Sequence, residues 1–163
     1  MFPFRIGSGY DVHALKEGFT FKLGGIEIEH TKGAVGYSDA DVLLHALCDA
    51  LLGAAGLPDI GQQFPDNAAE FKGIDSTILL SRTLKLIQDK GWEIGNVDCI
   101  LVLQKPKIGG YIPSMIAEIS RILEVDEGTV SIKATTTEKL GFEGREEGVA
   151  AWAVALIHEK QKD

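Results

Sequence analysis

Three features that define whole classes of protein are scarce in this 163-residue sequence: cysteine, positive charge and long apolar runs. The two cysteines, Cys48 and Cys99, cannot form the framework of a disulfide-rich secreted protein, and we expect both to be free thiols. The longest apolar run, 149–157, is far shorter than the roughly 20 residues that span a bilayer. The first residues, Met-Phe-Pro-Phe-Arg, show no signal-peptide pattern. These absences predict a cytoplasmic protein with no membrane partner.

Positive charge is also scarce relative to negative charge. Sixteen Lys and Arg residues stand against 24 Asp and Glu residues, which gives a net charge of −8. Nucleic-acid binding depends on neutralising phosphates, so this balance argues against a nucleic-acid partner. A small anionic substrate stays open, because a metal ion or a local Arg reverses the sign of one pocket. The length and the lack of a linker-like stretch predict a single domain over residues 1–163.

The apolar periodicity predicts an α+β fold, with a single-layer β-sheet and helices packed on one face. Strands are predicted over residues 4–13, 19–23, 26–29, 97–104, 130–134 and 149–158, and helices over 38–56, 75–90 and 112–123. The last strand alternates large residues with alanines, and a helix is the alternative there. Its alanine face would allow close packing, for example against a sister subunit. Residues 31–37 and 57–73 are predicted loops, the second long enough to be functional.

The helix predicted over 38–56 carries an unusual polar row. Ser38 and Asp41 have the spacing of a capping box, and Gly56 stands where a helix would stop. The helix is otherwise apolar, yet Asp41, His45 and Asp49 are spaced by four residues and therefore share one side. Unpaired polar groups are costly to bury, so this row predicts a bound partner.

A metal ion is the partner that these residues favour. Asp11 and His13 are two apart in a predicted strand, so they share a face and can converge on one point. With His45 they make three ligands of the type that a catalytic zinc uses, with the fourth position open. Asp49, one turn below His45, would fix the tautomer of that imidazole. The alternative is that Asp11 caps a turn and His45 is a core histidine with satisfied hydrogen bonds.

A second polar segment, 135–145, favours phosphate binding. Hydroxyls and backbone amides at a strand end, followed by Arg145, suit phosphate oxygens, and Glu138 could hold a magnesium ion that bridges them. A solvated polar loop is the alternative. Residues 59–66 indicate only a structured loop.

Six segments together resemble the 2-C-methyl-D-erythritol 2,4-cyclodiphosphate synthase family, and the resemblance runs over essentially the whole chain. They are Asp-Val-His at 11–13, Ser-Asp-Ala-Asp-Val-Leu-Leu-His at 38–45, Asp-Ala-Leu-Leu-Gly-Ala at 49–54, Asp-Ile-Gly at 59–61, Phe-Pro-Asp at 64–66 and Lys-Ala-Thr-Thr-Thr-Glu-Lys-Leu-Gly-Phe at 133–142. The resemblance implies a lyase of the non-mevalonate isoprenoid pathway. Its substrate would be 4-diphosphocytidyl-2-C-methyl-D-erythritol 2-phosphate, whose 2-phosphate attacks the β-phosphorus and releases CMP.

The resemblance also implies an assembly and a set of cofactors. The subunits would form a homotrimer with the sheets facing the centre and with active sites between neighbouring subunits. Asp11, His13 and His45 would bind zinc, and Glu138 would hold magnesium or manganese on the diphosphate. Thr136 would stabilise the transition state. Tyr37 stands where the family usually has a catalytic histidine, which leaves the identity of one stabilising group open.

The substrate contacts that the resemblance implies fall into several groups along the chain. They are Asp11, Val12, His13, Tyr37, Ser38, Asp59, Ile60, Gly61, Phe64, Pro65, Asp66, Leu103, Gln104, Lys105, Pro106, Lys107, Ile108, Gly109, Thr135, Thr136, Thr137, Glu138, Phe142 and Arg145. Two other functions stay open at this stage. One is a zinc hydrolase of small phosphoesters, and the other is a trimer that binds an isoprenoid diphosphate in its central cavity.

Overall fold

The structure, a computed structural model, describes residues 3–160. Its strands are β1 (Phe4–Glu17), β2 (Phe21–Leu23), β3 (Ile26–Ile28), β4 (Lys32–Val35), β5 (Trp92–Val102), β6 (Val130–Thr135) and β7 (Gly148–Glu159). Its helices are α1 (Val42–Ala54), α2 (Ile60–Gln63), α3 (Ser76–Asp89), α4 (Ile112–Leu123) and α5 (Gly141–Gly144). Single 3₁₀ turns lie at Ala69–Phe71, Gly109–Tyr111 and Glu127–Thr129. No helix within residues 3–160 combines the length and the apolar character needed to cross a membrane.

Five strands form one sheet in the order β4-β1-β7-β5-β6, and β2 and β3 form a separate hairpin. The β5–β6 pair is parallel and the other pairs are antiparallel. The predicted α+β fold with one main sheet is confirmed, and the last segment is a strand as expected. Gly24 and Gly25, which join the strands predicted over 19–23 and 26–29, form a hairpin turn in which both residues adopt the positive φ that such turns require.

Helix α1 packs directly on the backbone of the sheet. A Cβ atom on Gly7 would lie 2.1 Å from the Ala50 carbonyl oxygen, and one on Gly9 would lie 1.9 Å from the Ala46 carbonyl oxygen. The alanines of β7, namely Ala151, Ala153 and Ala155, are fully buried, and β7 contacts the same helix. The alanine face therefore packs inside the subunit, and the expectation that it packs against a sister subunit is wrong.

The opposite face of the sheet is open in the single chain. Ile6 is 70% exposed and Trp152 is 51% exposed, and Val154 beside them is also exposed. Tyr10 lies against Trp152, with 4.4 Å between their ring centres. One face of the sheet is thus covered by its own helices, while the other presents large apolar side chains.

The structure departs from the predicted elements at several places, among them β1, which continues to Glu17, and β5, which begins at Trp92. Helix α1 begins at Val42 rather than Ser38, because Ala40 has a left-handed φ of 58° and Asp41 is the N-cap. Residues 32–35 form a strand because they pair with the end of β1, a long-range contact that local patterns do not reveal. The predicted loop at 57–73 contains α2 and a 3₁₀ turn.

Candidate active site

Asp11, His13 and His45 converge as predicted. The Asp11 Oδ2 atom lies 2.9 Å from His13 Nε2 and 3.0 Å from His45 Nδ1, and the two ring nitrogens are 3.1 Å apart. All three residues are half-buried and together form a group that could hold a metal ion. The ligands of a tetrahedral ion bound at about 2.0 Å are separated by about 3.3 Å, so these atoms fit one metal ion with little adjustment.

The fold explains how this cluster forms. Alternation along β1 places Asp11 and His13 on the face that α1 covers, and the glycines of β1 bring α1 close enough for His45 to reach them. His13 Nδ1 lies 3.1 Å from the Val35 carbonyl oxygen of β4 and donates to it. The lone pair of His13 Nε2 therefore points toward Asp11 and His45.

The electrostatics of the cluster favour a cation at its centre. Burial would raise the pKa of Asp11, but hydrogen bonds and charge from His13 and His45 outweigh burial and lower it. Burial would lower the pKa of His13, but its hydrogen bond with Asp11 and the charge of that carboxylate raise it. A metal ion bound here would compete with protons for the same ligand atoms.

The prediction that Asp49 bonds to the second nitrogen of His45 is wrong. Asp49 Oδ1 accepts the Ile60 N–H at 2.8 Å, so this carboxylate holds the start of α2. His45 Nε2 instead lies 3.0 Å from Ser38 Oγ and 2.9 Å from Ser76 Oγ. A spacing of four residues places two side chains in one row of a helix. Their hydrogen-bond partners depend on which other elements pack against that row.

Asp41, the first member of the row, has a structural task. Its fully buried carboxylate accepts the N–H groups of Gly24 at 3.0 Å, Gly25 at 2.7 Å and Leu44 at 3.1 Å. It therefore caps α1 and fastens the β2–β3 turn to the helix, which agrees with the support for the helix start that the sequence suggested.

Beside the cluster lies a pocket of about 260 Å³. Its lining combines residues predicted as metal ligands or substrate contacts with three apolar residues that were not predicted. The lining consists of His13, Tyr37, Ser38, His45, Ile60, Gly61, Phe64, Asp66, Phe71, Ile74 and Leu79. The missed residues, Phe71, Ile74 and Leu79, gave only the ordinary apolar signal of a core.

Some of the substrate contacts predicted at 11–13 and 59–66 do not line this pocket. Asp59 caps α2 and accepts both the backbone N–H of Gln62 at 3.0 Å and its side-chain amide at 2.7 Å. Val12 points to the exposed face of the sheet, and Pro65 is absent from the lining. The Tyr37 hydroxyl donates to the Ala68 carbonyl at 3.2 Å, and the Gly73 N–H donates to the Tyr37 carbonyl at 2.8 Å.

A larger pocket of about 530 Å³ lies at the carboxyl ends of β5 and β6. Most of the substrate contacts predicted at 103–109 line it, together with part of the threonine run at 135–137. The lining consists of Leu103, Gln104, Pro106, Lys107, Ile108, Gly109, Gly110, Ile112, Ala134, Thr135 and Thr136. The two pockets share no lining residue, and β7 separates β5 and β6 from β1 in the sheet.

The rest of the segment 135–145 is partly exposed and partly half-buried. The Glu138 N–H donates to Thr136 Oγ1 at 3.3 Å, and the Lys139 N–H donates to Gln104 Oε1 at 3.1 Å. Arg145 pairs with Glu147 at 3.0 Å. Lys105, Thr137, Glu138, Phe142 and Arg145 line neither of these two pockets.

The chain matches the model of the YgbB family over residues 4–158 and belongs to that family. Two relatives are named 2-C-methyl-D-erythritol 2,4-cyclodiphosphate synthase. The one from Porphyromonas gingivalis is 54% identical over 155 residues, which cover 95% of this chain and 96% of the relative. The one from Bacteroides fragilis is 56% identical over 154 residues, 94% of this chain and 97% of the relative.

A solved structure has the same fold. It is described as a complex of IspF from Plasmodium falciparum with CDP, and it superposes with a TM-score of 0.85 at 38% identity. The match covers 97% of this chain and 97% of that one. Full-length matches of this quality agree with the family that the six segments indicated.

Proposed function

We propose that the chain is a metal-dependent lyase that converts 4-diphosphocytidyl-2-C-methyl-D-erythritol 2-phosphate into 2-C-methyl-D-erythritol 2,4-cyclodiphosphate and CMP, in the non-mevalonate isoprenoid pathway. The observation that carries the proposal is the Asp11, His13 and His45 cluster, whose histidines line a pocket. The names of relatives at 54% and 56% identity support it. Both cysteines are free and buried, in accord with a reducing compartment such as the cytoplasm.

The reaction is an intramolecular phosphoryl transfer. An oxygen of the 2-phosphate forms a bond to the β-phosphorus, and the bond from that phosphorus to the CMP oxygen breaks. An ionised phosphate needs no general base, so the protein has to fold the substrate back and align it. Asp11, His13 and His45 would hold a zinc ion, which would supply Lewis-acid stabilisation of the diphosphate charge.

The smaller pocket suits the methylerythritol phosphate end of the substrate. Ser38 offers a hydroxyl to phosphate oxygens. Phe64 supplies an apolar wall, and Asp66 is available for sugar hydroxyls. In this proposal the pocket holds the nucleophile beside the metal cluster.

The larger pocket suits the cytidine end. Its lining is mostly backbone and apolar surface, with Lys107 as a cation for phosphate oxygens. Thr136 lines the same pocket and would stabilise the transition state, while Glu138 would hold magnesium or manganese on the diphosphate. Arg145 would complete the phosphate side. The CDP complex of the Plasmodium relative supports a CDP-linked substrate.

Because the two pockets share no lining residue, we propose a homotrimer in which one subunit supplies the metal cluster and its neighbour supplies the cytidine pocket. The exposed apolar face of the sheet, with Ile6 and Trp152, supports an assembly in which the sheets face the centre. The residues of segment 135–145 that line neither pocket would then lie beside the metal cluster of a neighbour.

Tyr37 takes the position of the family histidine. Its side chain lines the metal-side pocket and can donate a hydrogen bond to a phosphate oxygen, but it carries no positive charge near neutral pH. We propose that transition-state stabilisation at this position comes from a neutral donor, whose single proton would turn from the Ala68 carbonyl to a phosphate oxygen when the substrate binds. The Tyr37 carbonyl would keep its bond from the Gly73 N–H throughout.

The test is product analysis after incubation of the zinc- and magnesium-loaded protein with the CDP-methylerythritol phosphate substrate. ³¹P NMR should show a cyclic diphosphate and CMP in equal amounts, and His45→Ala should form neither. Release of CDP, or of CMP with a linear product, would overturn the proposal. Solvent oxygen-18 in the product would point instead to a zinc hydrolase.

A further inference from the structure

His45 has two ring nitrogens, and the structure gives each a different environment. Nδ1 faces Asp11 and His13 in the metal cluster, as described above. Nε2 faces the start of α3, where it lies 2.9 Å from the hydroxyl oxygen of Ser76. Ser76 is fully buried, so its hydroxyl has no solvent partner and must be satisfied by protein groups.

The partners of Ser76 determine where the protons lie. The Ser76 hydroxyl donates to Asp39 Oδ1, and the Ser76 backbone N–H donates to Asp39 Oδ2 at 3.1 Å. A hydroxyl has one proton and two lone pairs, so an oxygen that donates to Asp39 can only accept from His45. Nε2 therefore carries the proton, and the lone pair of Nδ1 points toward Asp11 and His13.

Asp39 is itself held in place. Lys22 Nζ lies 3.5 Å from Asp39 Oδ2, and the same amine pairs with Asp75 at 2.8 Å. The Asp39 backbone N–H donates to the Ile74 carbonyl at 3.1 Å. The carboxylate is thus fixed at the beginning of α3 beside the Lys22 amine, in position to accept both the N–H and the hydroxyl proton of Ser76.

We propose that Ser76 and Asp39 are positioning residues, which hold His45 in the orientation and tautomer that present Nδ1 to a metal ion. They take the place that the sequence assigned to Asp49. The inference rests on the proposed function, since it concerns the metal site of that reaction. Hydrogen-bond partners of metal-ligating histidines typically contribute 10–100-fold to metal affinity.

Ser38 is the competing partner of His45 Nε2. Its hydroxyl oxygen lies 3.0 Å from Nε2 and accepts the Ala40 N–H at 3.2 Å. If Ser38 donated its proton to Nε2, the opposite tautomer would result and Nδ1 would lose its lone pair. The buried Asp39–Ser76 pair prevents this, because the Ser76 oxygen needs a donor and His45 is the one beside it.

The experiment measures zinc affinity by competition with a chelator on the full-length protein. Ser76→Ala should weaken zinc binding about 10–100-fold, and Asp39→Ala should weaken it similarly, because it frees the Ser76 proton to turn toward Nε2. Ser76→Thr retains the hydroxyl and should restore most of the affinity. Ser120→Ala is the matched control, since Ser120 is a buried hydroxyl without a hydrogen bond and should leave zinc affinity unchanged.

A second readout follows the tautomer directly. Long-range ¹H–¹⁵N NMR of the zinc-loaded wild type should show His45 protonated at Nε2 and bound through Nδ1. Wild-type zinc affinity retained in both folded Ser76→Ala and folded Asp39→Ala, or zinc on His45 Nε2, would overturn the inference while leaving the reaction intact. A wild type that binds no zinc at this cluster would overturn the proposed function itself.

Discussion

The metal cluster and the segment 135–145 are the two polar regions of this molecule, and they are built in different ways. In the cluster, three ligand atoms lie 2.9–3.1 Å apart and half-buried, and the second nitrogen of each histidine has a partner. In the segment, Thr136 and Glu138 are exposed and are held mainly by each other. One region is complete within a single chain, whereas the other presents its functional groups outward.

This difference indicates which parts of the proposed reaction a single subunit can perform. Metal binding needs fixed distances, and the residues that could provide them lie on β1, β4, α1 and α3 of one chain. Phosphate and nucleotide binding tolerates an open surface until a ligand or a neighbouring subunit covers it. We therefore expect substitutions in the metal cluster to change metal content and activity together, and substitutions in segment 135–145 to change turnover alone.

The largest effect is expected from removing a metal ligand. His45→Ala should lower kcat/KM by at least about 10³-fold, because Lewis-acid stabilisation is worth several kcal/mol. Metal content by atomic emission should fall together with activity. A His45→Ala protein that kept both its zinc and its turnover would mean that the cluster is structural, and the contrast between the two regions would disappear.

The next effect concerns the stability of the scaffold below the cluster. Asp41→Ala removes the acceptor of three backbone N–H groups and should lower the free energy of unfolding by roughly 2–4 kcal/mol, as measured by urea denaturation. Asp59→Ala, which removes the cap of the short exposed helix α2, is the control and should cost much less. An equal loss of unfolding free energy in the two variants would show that the buried cap contributes no more to stability than the exposed one.

A smaller effect, confined to turnover, is expected in segment 135–145. Thr136→Ala should lower kcat about 10–100-fold through the loss of one hydrogen bond to the transition state. Its zinc content and its melting temperature should match those of the wild type, because Thr136 is exposed and makes no contact with the cluster. Loss of zinc from this variant would contradict the separation of the two regions.

The smallest effect compares the cores beneath the two regions. Cys48 lies in α1 below the metal cluster, and Cys99 lies in β5 on the side of the larger pocket. Burial raises the pKa of each thiol to about 12, so neither should react appreciably with iodoacetamide at pH 8 in the folded protein. Mass spectrometry should show both thiols unmodified until denaturant is added. Faster labelling of Cys99 alone would mean that the open region extends into the core.

Much of the cluster could be predicted from the sequence because short-range geometry suffices for it. Alternation in a strand places Asp11 and His13 on one face, and an apolar helix makes a polar His45 conspicuous. The partner of that histidine could not be predicted in the same way. Asp49 is near His45 in sequence, but Ser76 reaches it through the packing of α3, which no local pattern describes.

The same limit explains the missed elements. Strand β4 contains glycine and is only Lys32–Val35, so it lacks a strand pattern and depends on pairing with β1. The start of α1 was misplaced because Ser38 and Asp41 have capping-box spacing, although the left-handed turn at Ala40 lies between them. Which residues of the two pockets act on one substrate depends on the assembly of subunits, and local sequence patterns do not contain that information.

The two glycines of β1 have a consequence for how this site tolerates change. Gly7 and Gly9 allow the carbonyl oxygens of α1 to lie where a methyl group would otherwise stand. The distance between β1, which carries Asp11 and His13, and α1, which carries His45, is therefore set by the absence of Cβ atoms on Gly7 and Gly9. One added carbon at either position would move the helix outward and widen the ligand triangle, although no ligand had been touched. The geometry of the candidate metal site thus depends on two residues that have no side chain.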